Sequence, residues 1–419
     1  MRGTGMTEGF DEGEGGSRVS AVPGDVPVHP AFRLPDMTRL LPGRLHPDAA
    51  RMHEAVHEWC RSELRAFFSD QVSFNQFLEH HVDLWTYLTV PVGDPDVIEA
   101  TCELTFLFLV LDDKHGGDVP GSAHGDEGLS FRGDAKASWS VADHLAAIMH
   151  GGAADPSVPF AGVFQRLWQR LTRGMREPLR ERFADCLNAF IGGAAAEVAP
   201  RPQGSHPDFD HFPQYTRTSS REYRSFEEYR SVREHSIGAR YLYVLHEHAL
   251  GIDMTEVLRR SEALQRVERT VVHQHLLHND LLSYRKELLA GQRDNTLAVL
   301  QDTEGLSLQQ AVDRLWACAE EAEDDFLRVR ERILHSSLGR RGDVRRYLEQ
   351  MWWMVPGSIE YQLMSPRYHG LGYRWSGYAC GEFVLHPEQT VLVPPPGALP
   401  VVPAWRSFIR ITPAPGHAG

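Results

Sequence analysis

The sequence predicts an all-α protein with one helical bundle domain. Apolar residues recur at helical spacing in one segment after another between residues 47 and 363. No β-rich region precedes residue 380, and the chain has no internal repeat, GxGxxG motif or P-loop. We therefore place the domain at residues 29–375, between a disordered tail at 1–28 and an irregular C-terminal extension at 376–419.

Stretches rich in Gly, Pro and Asp separate the predicted helices. The helices are predicted at about 47–68, 74–89, 95–113, 139–150, 158–174, 177–198, 226–250, 254–262, 264–290, 307–335 and 342–363. The helix that begins at Pro95 is apolar nearly all round near its end, so we expect it to be central and buried. A loop at 116–138 follows it, and residues 29–35 form an extended lead-in. Gly238 indicates a break within the 226–250 helix, because Gly in a helix interior costs about 1 kcal/mol relative to Ala.

Composition argues against several classes of partner. The net charge of -14 disfavours binding to nucleic acid or to an anionic membrane surface. The five cysteines form no CxxC pair and the first 30 residues contain no apolar run. We therefore expect a cytoplasmic protein without disulfides or a membrane span.

Three oxygen-bearing side chains recur every four residues near the end of the 264–290 helix. Asn279, Ser283 and Glu287 would lie in one row, one helical turn apart. An amide, a hydroxyl and a carboxylate suit a hard cation, above all Mg²⁺, which proteins usually share with a phosphate. A solvated helix face that carries these residues by chance is the alternative.

A pair of acids, Asp112 and Asp113, ends the apolar helix that begins at Pro95. The end of a helix already carries partial negative charge, so two acids there are unfavourable unless cations bind. The alternative is that both acids only mark where the chain meets solvent. Together with the Asn–Ser–Glu row, the pair predicts the second half of a metal–diphosphate site.

At these residues the sequence resembles the bacterial class I terpene synthases. Residues 279–287, NDLLSYRKE, match that family's second metal motif, ND(L/I/V)xSxxKE, at every defined position, and Asp112-Asp113 resemble its aspartate-rich motif. The resemblance implies the class I terpenoid synthase helical bundle, an isoprenyl diphosphate substrate and three Mg²⁺ ions. Asp112, with Asp113 as a further ligand, would bind two ions, and the Asn–Ser–Glu row would bind the third. The family's additional acid is displaced here to Asp118.

The resemblance extends to residues that would contact the substrate. Arg233 corresponds to the family's diphosphate-sensing arginine, and Arg367-Tyr368 resemble its C-terminal Arg–Tyr pair. Lys286 belongs to the second metal motif and would also face the diphosphate. The segment Ser236-Ile237-Gly238 then falls on the family's helix-break segment. Ser236 would be the linker, and Ile237 would present its backbone carbonyl to the departing cation, with Gly238 next in the chain.

An apolar pocket is expected beneath these charged groups, with Phe108 and Tyr361 among its walls. The resemblance implies ionisation of the diphosphate and cyclisation of the cation. Tyr361 stands where a Trp is common, beside small Gly357 and Ser358, which favours geranylgeranyl diphosphate (C20) slightly over farnesyl diphosphate (C15). A chain-elongating prenyltransferase and a non-catalytic binding protein of the same fold stay open, as does a homodimer.

Overall fold

The computed structural model describes residues 29–116, 135–198, 223–403 and 405. Helices dominate, as the sequence predicts. They are α1 (Ala49–Glu63), α2 (Gln71–Leu78), α3 (Val82–Thr89), α4 (Pro95–Gly116), α5 (Ala135–Met149), α6 (Ala161–Leu171), α7 (Glu177–Val198), α8 (Phe226–Ser236), α9 (Ala239–Ala249), α10 (Thr255–Arg260), α11 (Glu262–Leu289), α12 (Thr296–Glu304), α13 (Leu308–Leu334), α14 (Gly342–Met364) and α15 (Pro366–His369). Three short strands, β1 (Ala31–Leu34), β2 (Gly381–Val384) and β3 (Val391–Val393), form one sheet.

Two apolar clusters hold the bundle together. One is built mainly on α1 to α7 and α9, and the other on α11 to α14. The α4 helix lies in the first cluster with Leu104, Phe106 and Leu107 fully buried, which confirms the predicted central helix. Burial of each such side chain stabilises the fold by about 1.5–3 kcal/mol. The helix therefore gives the acid pair at its end a rigid support.

The two ends of the domain meet in the sheet. β1 pairs antiparallel with β2, and β2 with β3. Phe32 and Phe383 lie opposite each other with ring centroids 5.2 Å apart. The predicted extended lead-in is thus a strand, and the C-terminal extension, expected to be irregular, contains two strands. β1 and β2 lie more than 300 residues apart in the sequence, so local sequence patterns do not reveal that they pair.

The C-terminal segment is also fastened to α11. The buried guanidinium of Arg285 donates hydrogen bonds to the carbonyls of His386, at 2.7 Å, and Pro387, at 2.6 Å. Arg285 lies between Ser283 and Glu287, so the sheet region supports the helix that carries the predicted metal row.

Several boundaries differ from the predictions. The helix expected at 74–89 is two helices, because His81 adopts a left-handed conformation with φ of 50° between α2 and α3. The α12 helix was not predicted. The predicted tail at 1–28, Asp118 and most of the 116–138 loop lie outside the described residues. Within the described part of the chain, every helix is too short or too polar to cross a membrane.

Candidate active site

The acid pair lies where predicted, near the C-terminal end of α4. The side chain of Asp112 is 38% exposed, whereas that of Asp113 is 13% exposed. Arg367 donates hydrogen bonds to Asp113 from Nη1 at 3.0 Å and from Nη2 at 2.8 Å. Its Nη2 also contacts Asp112 at 3.4 Å. The residue predicted to bind diphosphate thus neutralises the two predicted metal ligands.

Burial favours the neutral form of Arg367, whose side chain is 4% exposed. The negative charges of Asp113 and Asp112 outweigh this effect and hold the pKa of Arg367 well above its usual range. The guanidinium is therefore a permanent positive charge at the acid pair.

The Asn–Ser–Glu row lies on one face of α11. Ser261 caps the N-terminus of this helix, because its hydroxyl accepts a hydrogen bond from the Leu264 amide. The helix then runs unbroken through the row. Asn279 Oδ1 accepts a hydrogen bond from Arg233 Nη2 at 3.2 Å. Ser283 is buried, and its Oγ makes no hydrogen bond within the described residues. This buried hydroxyl oxygen is therefore available as a ligand atom for a hard cation.

Glu287 ends the row as a buried carboxyl. Burial raises its pKa to about 7, although the positive charge of Lys286 acts in the opposite direction and Asp280 adds to the rise. Asn295 Nδ2 donates to Glu287 Oε2 at 2.7 Å and to the Asp280 carbonyl at 2.6 Å. A bound cation would favour the ionised form of this carboxyl.

Asp280 is a functional-site residue that sequence reasoning missed. It is fully buried and accepts hydrogen bonds from the Tyr229 hydroxyl at 2.6 Å and from the Thr296 amide and hydroxyl at 2.8 and 2.7 Å. Arg233 Nε lies 3.5 Å from its Oδ1. Asp280 thus ties α8 and α12 to α11 and positions Arg233 beside Asn279.

A second positioning chain leads from the row to α14. Asn279 Nδ2 lies 3.4 Å from Gln362 Oε1, and Gln362 Nε2 donates to Ser358 Oγ at 2.7 Å. Trp85 Nε1 donates to the same hydroxyl at 3.1 Å. Neither Gln362 nor Asn295 was predicted. The N-cap preference of Asn before a helix was a usable signal for Asn295.

Tyr368 joins the two predicted ligand sets. It follows Arg367 in α15, which packs against α11. Burial raises the pKa of its phenol, whereas Arg367, Lys286 and the Asn279 side chain act to lower it. The Arg–Tyr pair therefore has the acid pair on one side and the Asn–Ser–Glu row on the other. The structure brings both predicted halves to one polar end of the bundle.

The predicted helix break is present. The α8 helix ends at Ser236, Ile237 has helical angles, and Gly238 adopts a φ of +74° before α9 begins. The Ser236 hydroxyl is buried and makes no hydrogen bond within the described part of the chain. The Ile237 side chain packs with the α11 cluster, so its bulk is accommodated in the protein core.

The aromatic predictions have different outcomes. Phe108 lines a recess that is partly open to solvent, and the wall of this recess also includes Asp112 and Phe190. The recess therefore places apolar walls directly beside Asp112 of the acid pair. Tyr361 is buried and its ring packs edge-on against Tyr368 at 6.0 Å between centroids, but it does not line this recess.

The residues present fit a divalent cation. Their donor atoms are hard oxygens, Asp112 is open to solvent, and Ser283 has a buried oxygen to offer. The buried Glu287 carboxyl is the type of group that a cation stabilises. The comparisons agree with this chemistry.

A family model described as terpene synthase family 2, C-terminal metal binding, matches residues 214–325. The (3S,6E)-nerolidol synthase of Selaginella moellendorffii is 22% identical over 369 residues, covering 87% of this chain and 91% of that protein. Pristinol synthase of Streptomyces pristinaespiralis is 24% identical over 355 residues, covering 82% and 85%. The solved linalool/nerolidol synthase from Streptomyces clavuligerus has a TM-score of 0.62 at 18% identity, covering 77% of this chain and 99% of that chain.

The bundle, with its acid pair and Asn–Ser–Glu row at one end, has the class I terpenoid synthase fold. The matching family model and these relatives are all terpene synthases, which are lyases, and the chain is similar to them over most of its length. The fold class predicted from the sequence is confirmed, and these similarities agree with its predicted resemblance to terpene synthases.

Proposed function

We propose that this enzyme ionises a linear isoprenyl diphosphate and cyclises the resulting carbocation, with release of diphosphate. The observation that carries the proposal is the position of Arg367-Tyr368 between the acid pair and the Asn–Ser–Glu row. A site of this kind can surround a diphosphate with cationic groups on several sides.

Asp112 and Asp113 on one side, and Asn279, Ser283 and Glu287 on the other, would hold Mg²⁺, with three ions expected. Bound Mg²⁺ supplies positive charge that stabilises the leaving diphosphate. Gln362 and Asn295 hold two members of the row in place.

Cationic side chains would bind the remaining diphosphate oxygens. Arg233, Lys286 and Arg367 are the groups of fixed positive charge at this end of the bundle, and Tyr368 offers a hydroxyl. Donors fixed where negative charge develops stabilise a transition state without reorganisation. Ser236, Ile237 and Gly238 would place a backbone carbonyl near the new cation.

The hydrocarbon would occupy the recess beside Asp112. Its walls are apolar, with Phe108 and Phe190 facing each other edge-on at 5.3 Å between ring centroids. Apolar walls exclude water, which would otherwise quench a carbocation, and aromatic faces stabilise cations.

We propose farnesyl diphosphate as the substrate ahead of geranylgeranyl diphosphate. The space expected beside Tyr361 is absent, because a Cβ at Gly357 would lie only 2.3 Å from the Leu88 carbonyl and Ser358 is engaged by Trp85 and Gln362. The Agr3 relative from Cyclocybe aegerita is named a sesquiterpene synthase, which is a C15 class.

Two other functions remain as alternatives. A chain-elongating prenyltransferase would carry a second aspartate-rich motif in place of the Asn–Ser–Glu row. A non-catalytic protein would have no need for the buried, unpaired Ser283 hydroxyl or for the Asn295 contact to Glu287. A cytoplasmic location and a homodimer stay predictions.

Incubation with C10, C15, C20 and C25 isoprenyl diphosphates tests the proposal. With Mg²⁺, gas chromatography–mass spectrometry of the extract should show a cyclic C15 hydrocarbon or alcohol, and a chelator should abolish it. A longer linear diphosphate, formed when isopentenyl diphosphate is added as the C5 donor, would instead indicate a prenyltransferase. If no substrate gives a Mg²⁺-dependent product, the proposal is wrong.

Variants separate the metal ligands from the fold. Asp112→Asn and Glu287→Gln should each abolish product formation and leave the helical circular dichroism signal unchanged. Glu256→Gln, which alters an exposed acid on α10, is the matched control and should retain full activity. Full activity in both ligand variants would contradict the metal assignment.

A further inference from the structure

Two histidines and an aspartate meet between α1 and α3, and we call them the α1–α3 cluster: His53, His57 and Asp83. The histidines are four residues apart and therefore share one face of α1. His53 Nδ1 lies 2.6 Å from Asp83 Oδ2, and His57 Nε2 lies 3.5 Å from Asp83 Oδ1. The two imidazole rings are 4.0 Å apart between centroids.

The cluster has unused ligand atoms in a buried setting. Asp83 is fully buried, and its Oδ1 makes no hydrogen bond within the described residues, nor does His57 Nε2. Burying a carboxylate oxygen and an imidazole nitrogen with only their 3.5 Å contact to each other is costly. Each has a lone pair that a cation could use, and the ligand atoms of the cluster lie within 4.8 Å of one another.

We propose that His53, His57 and Asp83 bind one divalent transition-metal ion of the zinc class, at a site separate from the Mg²⁺ site. Two imidazole nitrogens and one carboxylate oxygen are a donor set typical of Zn²⁺ and its neighbours. The Asn–Ser–Glu row offers only oxygen, which suits Mg²⁺. The two sites therefore differ in the ion that each prefers.

The geometry is close to that of a bound ion. One ligand atom from each residue lies within 4.8 Å of the other two. Tetrahedral Zn²⁺ with bonds of about 2.0–2.1 Å needs its ligands about 3.4 Å apart. Binding of the ion would require the ring of His53, whose side chain is 28% exposed, to shift until its nitrogen reaches this spacing. Three protein ligands would leave a fourth position for water on the exposed side.

The site would link two helices of the first apolar cluster. His53 and His57 come from α1, and Asp83 comes from the first turn of α3. The acid pair belongs to α4 and the row to α11, so no residue is shared. The ion would fasten α1 to α3 and raise stability without taking part in the reaction.

A proton is the competing occupant of the cluster. A protonated His53 would form an ion pair with Asp83 and remove the need for a metal. The two possibilities differ in metal retention, which is measured directly.

Equilibrium dialysis of the full-length protein, stripped with a chelator, tests the site. Zn²⁺ is added with Mg²⁺ in excess, and bound zinc is measured by mass spectrometry of the metal. The wild type should retain one equivalent, and Zn²⁺ should raise its thermal midpoint. His57→Gln should weaken binding by more than about 100-fold, since loss of a second-shell partner alone costs 10–100-fold. His53→Gln, at a partly exposed position, should weaken it similarly.

Glu287→Gln is the matched control, because it alters the Mg²⁺ row and should still retain one zinc. Co²⁺ should give the wild type a visible ligand-field spectrum that His57→Gln lacks. Circular dichroism confirms that each variant is folded. Absence of retained zinc in the wild type, equal binding by His57→Gln, or loss of zinc only in Glu287→Gln would overturn the proposal.

Discussion

Arg367 holds the carboxylate of Asp113 with both of its terminal nitrogens, at 3.0 and 2.8 Å. In this arrangement the guanidinium supplies the positive charge that the acid pair requires. Metal ions would supply the same charge, so metal binding to Asp113 and this ion pair are alternatives. Arg367 would then be free to contact diphosphate. The exchange would couple substrate binding to metal binding at one end of the bundle, which the next variants test.

Arg367→Gln should therefore lower both activity and stability. Removing one partner of a buried ion pair costs roughly 3–5 kcal/mol in the free energy of unfolding, because the other charge stays buried. Excess Mg²⁺ should restore more stability to the variant than it gives the wild type, since the ion replaces the missing charge. Urea unfolding with and without Mg²⁺ measures both effects.

The matched control is Arg341→Gln. Arg341 also donates hydrogen bonds from two nitrogens to one aspartate, Asp343, but this ion pair lies at the surface. Its loss should cost at most about 1 kcal/mol, with no Mg²⁺ dependence. If Mg²⁺ stabilises the Arg367 variant no more than the wild type, the proposed exchange does not occur.

Asn295→Ser tests the positioning of Glu287. Serine keeps the N-cap of α12 but cannot make the 2.7 Å hydrogen bond to Glu287 Oε2. Because an unsupported ligand binds metal less well, the Mg²⁺ concentration for half-maximal activity should rise about 10–100-fold. Activity titrated against Mg²⁺ provides the measurement.

Ser307→Ala controls for helix capping. Ser307 caps the N-terminus of α13, so its replacement by Ala should lower the free energy of unfolding by about 1 kcal/mol. Its Mg²⁺ requirement should match that of the wild type. An unchanged Mg²⁺ requirement in Asn295→Ser would show that Glu287 needs no such support.

Gly238→Ala tests the helix break. A Cβ at this position, where φ is +74°, would lie 3.0 Å from the Phe190 ring. The left-handed conformation costs about 1–2 kcal/mol for a non-glycine residue, and crowding against Phe190 adds roughly 1 kcal/mol or more. Because Phe190 lines the recess, the product distribution should also change.

Gly174→Ala is its matched control. Gly174 has the same φ of +74°, but no atom lies within 4 Å of its added Cβ. The two variants therefore share the backbone strain, and their difference in unfolding free energy reports the contacts of the added Cβ with the Phe190 and Tyr241 rings. If both variants lose the same unfolding free energy and the product distribution is unchanged, Phe190 moves aside without affecting stability or catalysis.

The elements that the sequence predicted depend on local spacing. The α11 row and the buried α4 helix follow from a period of 3.6 residues, and the α8–α9 break follows from Gly238. The contacts that support the site are long-range. The hydrogen bond between Asn295 and Glu287 needs α12, a short helix with little periodic signal. The pairing of β1 with β2 joins segments more than 300 residues apart, a separation over which local spacing carries no signal.

His246→Gln should flatten the dependence of stability on pH. Burial lowers the pKa of His246 to about 3, and its Nε2 makes no hydrogen bond within the described residues. The unfolded chain takes up the proton near pH 6.5, so this contribution to stability is full above that pH and is lost as pH falls toward 3. The wild type should lose up to about 1.4 kcal/mol per pH unit from this one group. Urea unfolding between pH 7 and pH 4 should show a smaller slope in the variant, whereas His335→Gln, at an exposed position, should keep the wild-type slope. Identical slopes in all three proteins would mean that His246 is protonated in the folded state.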